Sequence, residues 1–224
     1  MQPRSASERR EELVALYHEA SVCERCPLFQ GRTKVVFGNG NANADLMFVG
    51  EAPGHHEDLQ GLPFVGRAGQ LLDQLLEEIG FTRKDVFVAN TVKCRPPGNR
   101  DPQPDEIESC RPYLQRQIEL IEPKVICTLG NFATKLLTRS NRGITSVHGR
   151  PQVHELAGQA VRVYPLYHPA AALRTPKVQQ ELRQDLARLP ALLAEPRPVP
   201  IGAVAPAAAV AVAEVEPPQL DFFR

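Results

Sequence analysis

The residues best suited to chemistry fall in two groups. GEAPGHHED, residues 50–58, follows directly on the apolar run LMFVG and sets carboxylates and two adjacent histidines at the end of a strand-like segment. The second group is cysteine: Cys23 and Cys26 form a C-x2-C pair before Pro27, and Cys94 and Cys110 are separated by fifteen residues. The N-terminus MQPRSASERREEL is charged and leads into no apolar core, so it is not a secretory signal and a cytoplasmic setting is expected. Thiols there favour metal or redox chemistry over structural disulfides. A C-x2-C loop is short enough to aim both thiolates at one centre, and four thiolates suit tetrahedral zinc or a 4Fe-4S cluster equally; spacing does not separate the two. Cys127, inside the apolar run KVICTLG, is expected to be a buried core thiol.

Four runs bounded by Gly, Pro or Asn have the composition of strands: DLMFVG (45–50), DVFVAN (85–90), KVICTLG (124–130) and VRVYPLYH (161–168). They are continuously apolar rather than alternating, which predicts a sheet covered on both faces. Helical patterns lie before and between them. Ser5 followed by Glu8 predicts a capped first helix to about residue 20. Leu71, Leu72, Leu75, Leu76 and Ile79 make a helical stripe stopped by Gly80, and further helices are expected over 104–121, 131–138 and 176–189. The fold class is therefore α/β, a parallel four-stranded sheet between helices. Function in such sheets gathers at the carboxyl ends of strands, here Gly50-Glu51, Asn90, Gly130-Asn131 and His168.

At 224 residues the chain accommodates one domain, placed at 1–193, and a tail, 194–224, whose Pro/Ala-rich composition predicts disorder. Its apolar stretch 201–213 is too short to span a bilayer and contains Pro206, so no membrane partner is expected. Acidic and basic residues balance at 26 each, but from Lys124 to Lys177 eight basic residues face Glu155 alone. That half is a candidate polyanion-binding surface.

GEAPGHHEDLQGLPFVGRAGQLL (50–72), VANTVKCRPPGNRDP (88–102) and YHPAAALR (167–174), with four cysteines at this spacing, closely resemble the family 4 uracil-DNA glycosylases. The resemblance covers residues 20–190 and implies a monomeric three-layer α/β/α sandwich around a four-stranded parallel sheet. It also implies a 4Fe-4S cluster on Cys23, Cys26, Cys94 and Cys110, uracil-containing DNA as substrate, and hydrolysis of the N-glycosidic bond to leave an abasic site. Such an enzyme must extrude the nucleotide, read the base edge and stabilise the departing uracil anion.

The resemblance assigns these tasks residue by residue. Phe64 matches the aromatic on which the base stacks, and Asn90 the carboxamide offering donor and acceptor to its edge. His168 matches the donor to uracil O2. Glu51 matches an active-site carboxylate that positions the base or a water. Ala52 stands in the substrate-binding motif where family 1 enzymes carry an aspartate, so water activation by that side chain is absent. Leu173 corresponds to the wedge filling the gap left by the base, with Arg174, Arg150, Arg142 and Lys177 as phosphate partners. His55 is unusual for its motif position and receives no role; His18 is expected on a helix surface, and His148 and His154 are expected to solvate a basic loop. A relative that traps DNA covalently uses a histidine in an extra basic loop, and CRPPGNRDP has none. The alternative of another class is a non-catalytic iron-sulfur DNA-binding module. At the far C-terminus, Gln219-Leu220-Asp221-Phe222-Phe223 resembles the pentapeptide by which bacterial repair proteins dock on the sliding clamp.

Overall fold

The computed structural model describes residues 4–199. Helix α1 (Ala6–Ser21) opens with the expected capping box: Ser5 Oγ accepts from Glu8 N, and the Glu8 carboxylate accepts from Ser5 N at 2.7 Å. The strands are β1 (Asn39–Gly40), β2 (Leu46–Gly50), β3 (Val86–Asn90), β4 (Val125–Leu129), β5 (Gln152–Leu156) and β6 (Gln159–Leu166). They form one six-stranded sheet ordered β1-β3-β2-β4-β6-β5. The four central strands run parallel, while β1 and β5 are antiparallel edges.

The central four are the strands the sequence predicts, and the count of four is corrected to six. The added edges carry no continuous apolar run. β1 is two exposed residues, and β5 alternates half-buried with exposed positions because only one side of an edge strand packs inward. A two-residue turn, Ala157-Gly158 with φ 50° and 75°, folds β5 onto β6.

Alternate residues of the central strands feed two cores. Leu46, Phe48, Val86 and Val88 pack with α3 (Arg67–Glu78), α8 (Pro176–Leu186) and α9 (Leu189–Ala194). Met47, Val49, Phe87 and Ala89 pack on the other side with α1, α4 (Pro104–Ile121) and α5 (Asn131–Thr138). Burying one leucine contributes about 1.5–3 kcal/mol, so Leu72, Leu75 and Leu76 alone anchor α3 firmly. Helices α4 and α5 keep their expected bounds, whereas the helix expected over 176–189 breaks into α8 and α9. Cys127 is fully buried in β4, as expected. No described helix is long and apolar enough to cross a membrane.

The basic stretch 124–177 does not form one surface. Lys124 pairs with Asp45 at 3.0 Å and Arg162 with Glu195 at 2.9 Å, both at the amino end of the sheet, away from the strand ends of interest.

Candidate active site

In the parallel register Gly50 lies beside Asn90, so β2 and β3 end together. Thr91 N donates to Gly50 O at 2.9 Å and Thr91 Oγ1 to Glu51 O at 2.5 Å, which fixes the chain just past both strands. The carboxamide of Asn90 is buried, and its Oδ1 has no hydrogen-bond partner among the described residues. A Cβ on Gly50 would stand 2.5 Å from that oxygen and 2.6 Å from Phe64 Cζ. Only glycine therefore lets the carboxamide and the aromatic ring meet here.

Phe64 is buried with a left-handed backbone, φ 54°, uncommon for a bulky residue. Three contacts enforce it. Gly69, in the first turn of α3, lies so close that a Cβ would be 1.7 Å from Phe64 O. Arg83, held by an ion pair to Asp73, donates to the same carbonyl at 2.8 Å. Glu57, in the short helix α2 (His55–Gln60), accepts from Val65 N and Gly66 N at 2.9 Å each.

His168 caps α7 (Pro169–Ala172), and its ring stacks near Phe64 with centroids 5.7 Å apart. Burial pulls its pKa down to about 4, with Glu57 acting weakly in the opposite direction. The imidazole is thus neutral at pH 7. Nδ1 accepts from Ala170 N at 3.1 Å, which leaves the proton on Nε2 as a donor. Burial first, and then the neighbouring Asp101, raise the Glu51 carboxyl to about 7.

Glu51, Ala52, Phe64, Asn90, His168 and Arg174 all line one cleft of about 420 Å3, together with Glu57, Pro96 and Asn99. A wider hollow of about 590 Å3 at the amino ends of the strands, around Asn41 and Lys84, holds none of these groups. Leu173 is 39% exposed beside the cleft, and Arg142 and Arg150 sit in the exposed loops around α6 (Ile144–Val147) without reaching its wall. His148 does not merely solvate that loop: its Nδ1 meets buried Asp185 at 2.7 Å and its ring packs on Tyr167. His154 lies in β5, partly buried.

Cys23, Cys26, Cys94 and Cys110 come together on a second, narrow cavity, behind β3. Among the described residues no three His, Cys, Asp or Glu side chains close tightly enough to hold a single metal ion. The donor set nevertheless fits a thiolate-bound cluster: four soft ligands face one space, Lys93 N donates to Cys110 Sγ at 3.2 Å, and Arg32 reaches Cys94 Sγ at 3.5 Å. Burial raises the Cys94 thiol to about 11.

Lys93 joins the two sites, and sequence reasoning missed it. Its ammonium is fully buried, which lowers its pKa to about 8, and it donates to Asn90 O at 2.8 Å and to Gln117 Oε1 at 2.6 Å. Glu57 and Arg83 were missed as well. The only signal for all three was a charged residue inside or beside a motif, and their partners are fixed by the fold.

The family model described as the uracil DNA glycosylase superfamily matches residues 37–189, the stretch that carries every cleft residue named above. The type-4 uracil-DNA glycosylase of Sulfurisphaera tokodaii is 45% identical over 192 residues, covering 84% of this chain and 87% of the relative. That of Thermotoga maritima is 47% identical over 167 residues, 74% of this chain and 85% of the relative. A type-5 uracil-DNA glycosylase of Pyrobaculum aerophilum is more distant, 32% identical over 58% of this chain and 63% of its own. The chain belongs to the type-4 uracil-DNA glycosylases.

Proposed function

We propose that the cleft at the carboxyl ends of β2, β3 and β6 takes an extruded uracil from DNA and that its residues carry out the excision. The protein is a uracil-DNA glycosylase of base excision repair, as its family membership establishes. The observation that carries the residue assignment is the unpartnered Oδ1 of Asn90. An unpaired buried polar atom costs about 1–3 kcal/mol and is retained where a ligand completes it. Uracil does so, its N3–H donating to a carboxamide oxygen while O4 accepts from the amide nitrogen.

Phe64, its ring held at the foot of the cleft, stacks on the base. His168 donates Nε2–H toward O2 as the glycosidic bond lengthens and electrons flow into the ring. A neutral donor loses less to desolvation than an imidazolium, and it strengthens only as negative charge develops. Ala52 offers no proton acceptor, so the cationic sugar and the incoming water are left to Glu51, the nearest ionisable group of the motif. Leu173 fills the vacated stack, and Arg142, Arg150 and Arg174 hold phosphates.

Cys23, Cys26, Cys94 and Cys110 hold a 4Fe-4S cluster, which supplies a cross-link between the end of α1, the loop after β3 and α4. The tail expected from residue 194 still touches the domain at Glu195, which pairs with Arg162; its remainder serves as a tether, with Gln219 to Phe223 docking on a bacterial sliding clamp, and residues 200–224 lie outside the described residues. The iron-sulfur binding module of the alternative reading leaves the buried carboxamide and neutral imidazole in one cleft without a purpose.

The test is uracil release from a single-dU oligonucleotide. Asn90→Ala with intact iron content should lose release while keeping its affinity for DNA. Binding of DNA and iron by the wild-type protein with no release would favour the non-catalytic module.

A further inference from the structure

The cleft wall continues into a second, smaller hollow of about 130 Å3, and Pro96 faces both. At this junction Arg95 bridges two elements: Nε donates to Asn99 Oδ1 at 2.7 Å, and Nη1 lies 3.1 Å from His55 Nδ1. A guanidinium has no acceptor, so His55 Nδ1 accepts and its Nε2–H is left as a free donor. Asn99 itself lines the cleft, and so does Gly54, the residue before His55. The guanidinium, held at the rim by two neutral partners, keeps its charge unmatched unless something negative joins it.

No carboxylate does. Among the described residues neither Arg95 nor His55 enters an ion pair, whereas nearby Arg100 is held by both oxygens of Glu106 at 2.9 and 2.6 Å. Of the arginines on the cleft wall, Arg100 is thus neutralised, while Arg174 at the rim, like Arg95 beside it, enters no ion pair among the described residues.

Resting on the assignment of the cleft to uracil, we infer that Arg95 and His55 clamp one backbone phosphate of the substrate strand beside the extruded nucleotide. The guanidinium supplies a planar pair of N–H donors to one or two phosphate oxygens, and His55 adds a third donor from α2. Asn99 and the Pro96-Pro97 corner hold the guanidinium at the rim. The pair therefore orients the strand so that the nucleotide next to it points into the cleft, and His55, without a role in the sequence motif, acquires one.

The experiment is a scan of single methylphosphonate substitutions through the positions flanking dU in an oligonucleotide. Uracil release is measured for wild-type protein, Arg95→Ala and His55→Ala, with iron content determined for each. On unmodified DNA, Arg95→Ala should lose about tenfold in kcat/KM at moderate salt, and its log K against log salt slope on duplex DNA should flatten by about 0.9, the share of one phosphate. At one flanking position the methylphosphonate should impair the wild type by a similar factor and leave Arg95→Ala unaffected. If Arg95→Ala loses iron, His55→Ala, on α2 and outside the cysteine loops, carries the comparison with the same non-additivity. Losses that add at every position, or variants matching the wild type on unmodified DNA, would overturn the clamp. An inactive wild-type protein would instead overturn the assignment of the cleft.

Discussion

Two cavities share the segment that leaves β3, and they treat polar groups in opposite ways. In the cleft, Asn90 keeps a buried oxygen without a partner, and His168 keeps a free donor. Around the cysteines, three residues further on, Lys93, Arg32 and Gln117 are all hydrogen-bonded, and Lys93 N already points at a sulfur. An incomplete set of partners suits a ligand that comes and goes. A complete set with a cavity of soft ligands suits one that stays. Lys93 couples them, because one fully buried ammonium supports both the carbonyl of Asn90 and the face next to Cys110.

The largest effect should come from the resident side. Replacing Cys94 and Cys110 together by alanine removes two of the four proposed cluster ligands. Iron is then lost and the melting transition falls by many degrees, since cofactor binding free energy at such sites is folding free energy. Cys127→Ala, in the core of β4, should leave iron content unchanged. If it depletes iron as the double variant does, the division between cluster and core cysteines is wrong.

Next is the coupling residue. Lys93→Met strands two buried acceptors, Asn90 O and Gln117 Oε1, at about 1–3 kcal/mol each. Denaturant unfolding should show that cost, and uracil release should fall with it as Asn90 shifts. A variant as stable and as active as the wild type would uncouple the two cavities.

On the ligand side, Phe64→Ala should weaken base capture by about 1–3 kcal/mol, the worth of one stacked base, read in kcat/KM with iron content intact.

The smallest effect is a pH dependence. Glu51 is protonated below about 7 and ionised above it. If its anion faces the cationic sugar, release rises as pH passes upward through about 7 and then levels. His168, neutral down to about 4, adds no slope in that range. Glu51→Gln should be slower and flat with pH; an unchanged profile would remove the carboxylate from the chemistry.

How much of this was legible in the sequence follows from where the determinants lie. The four central strands announce themselves as continuous apolar runs, and each delivers its strand-end residue in the next position or two. The cleft residues Glu51, Phe64, Asn90 and His168 are thus readable from motifs. The edges β1 and β5 are not, since an edge strand carries half the apolar signal and two residues carry none. Glu57, Arg83 and Lys93 act on partners eight to twenty-four residues away, through contacts that no local pattern encodes. His148 reads as a loop histidine until β6 and α8 bring Tyr167 and Asp185 against it. The charge run 124–177 misleads for a related reason: a stretch crossing the sheet several times sends its residues to both ends.

The division between a cleft that acts and a cavity that holds is tested most directly by one variant, Asn90→Ala with His168→Ala, measured twice. Iron content should match the wild type, because neither side chain lines the cysteine cavity, and the melting temperature should fall only by the lost cap of α7 and the two truncated side chains. Single-turnover release of uracil should fall by at least about 10²- to 10³-fold, the scale of one lost preorganised donor. Full release by a variant that keeps its iron, or loss of iron together with activity, would contradict it.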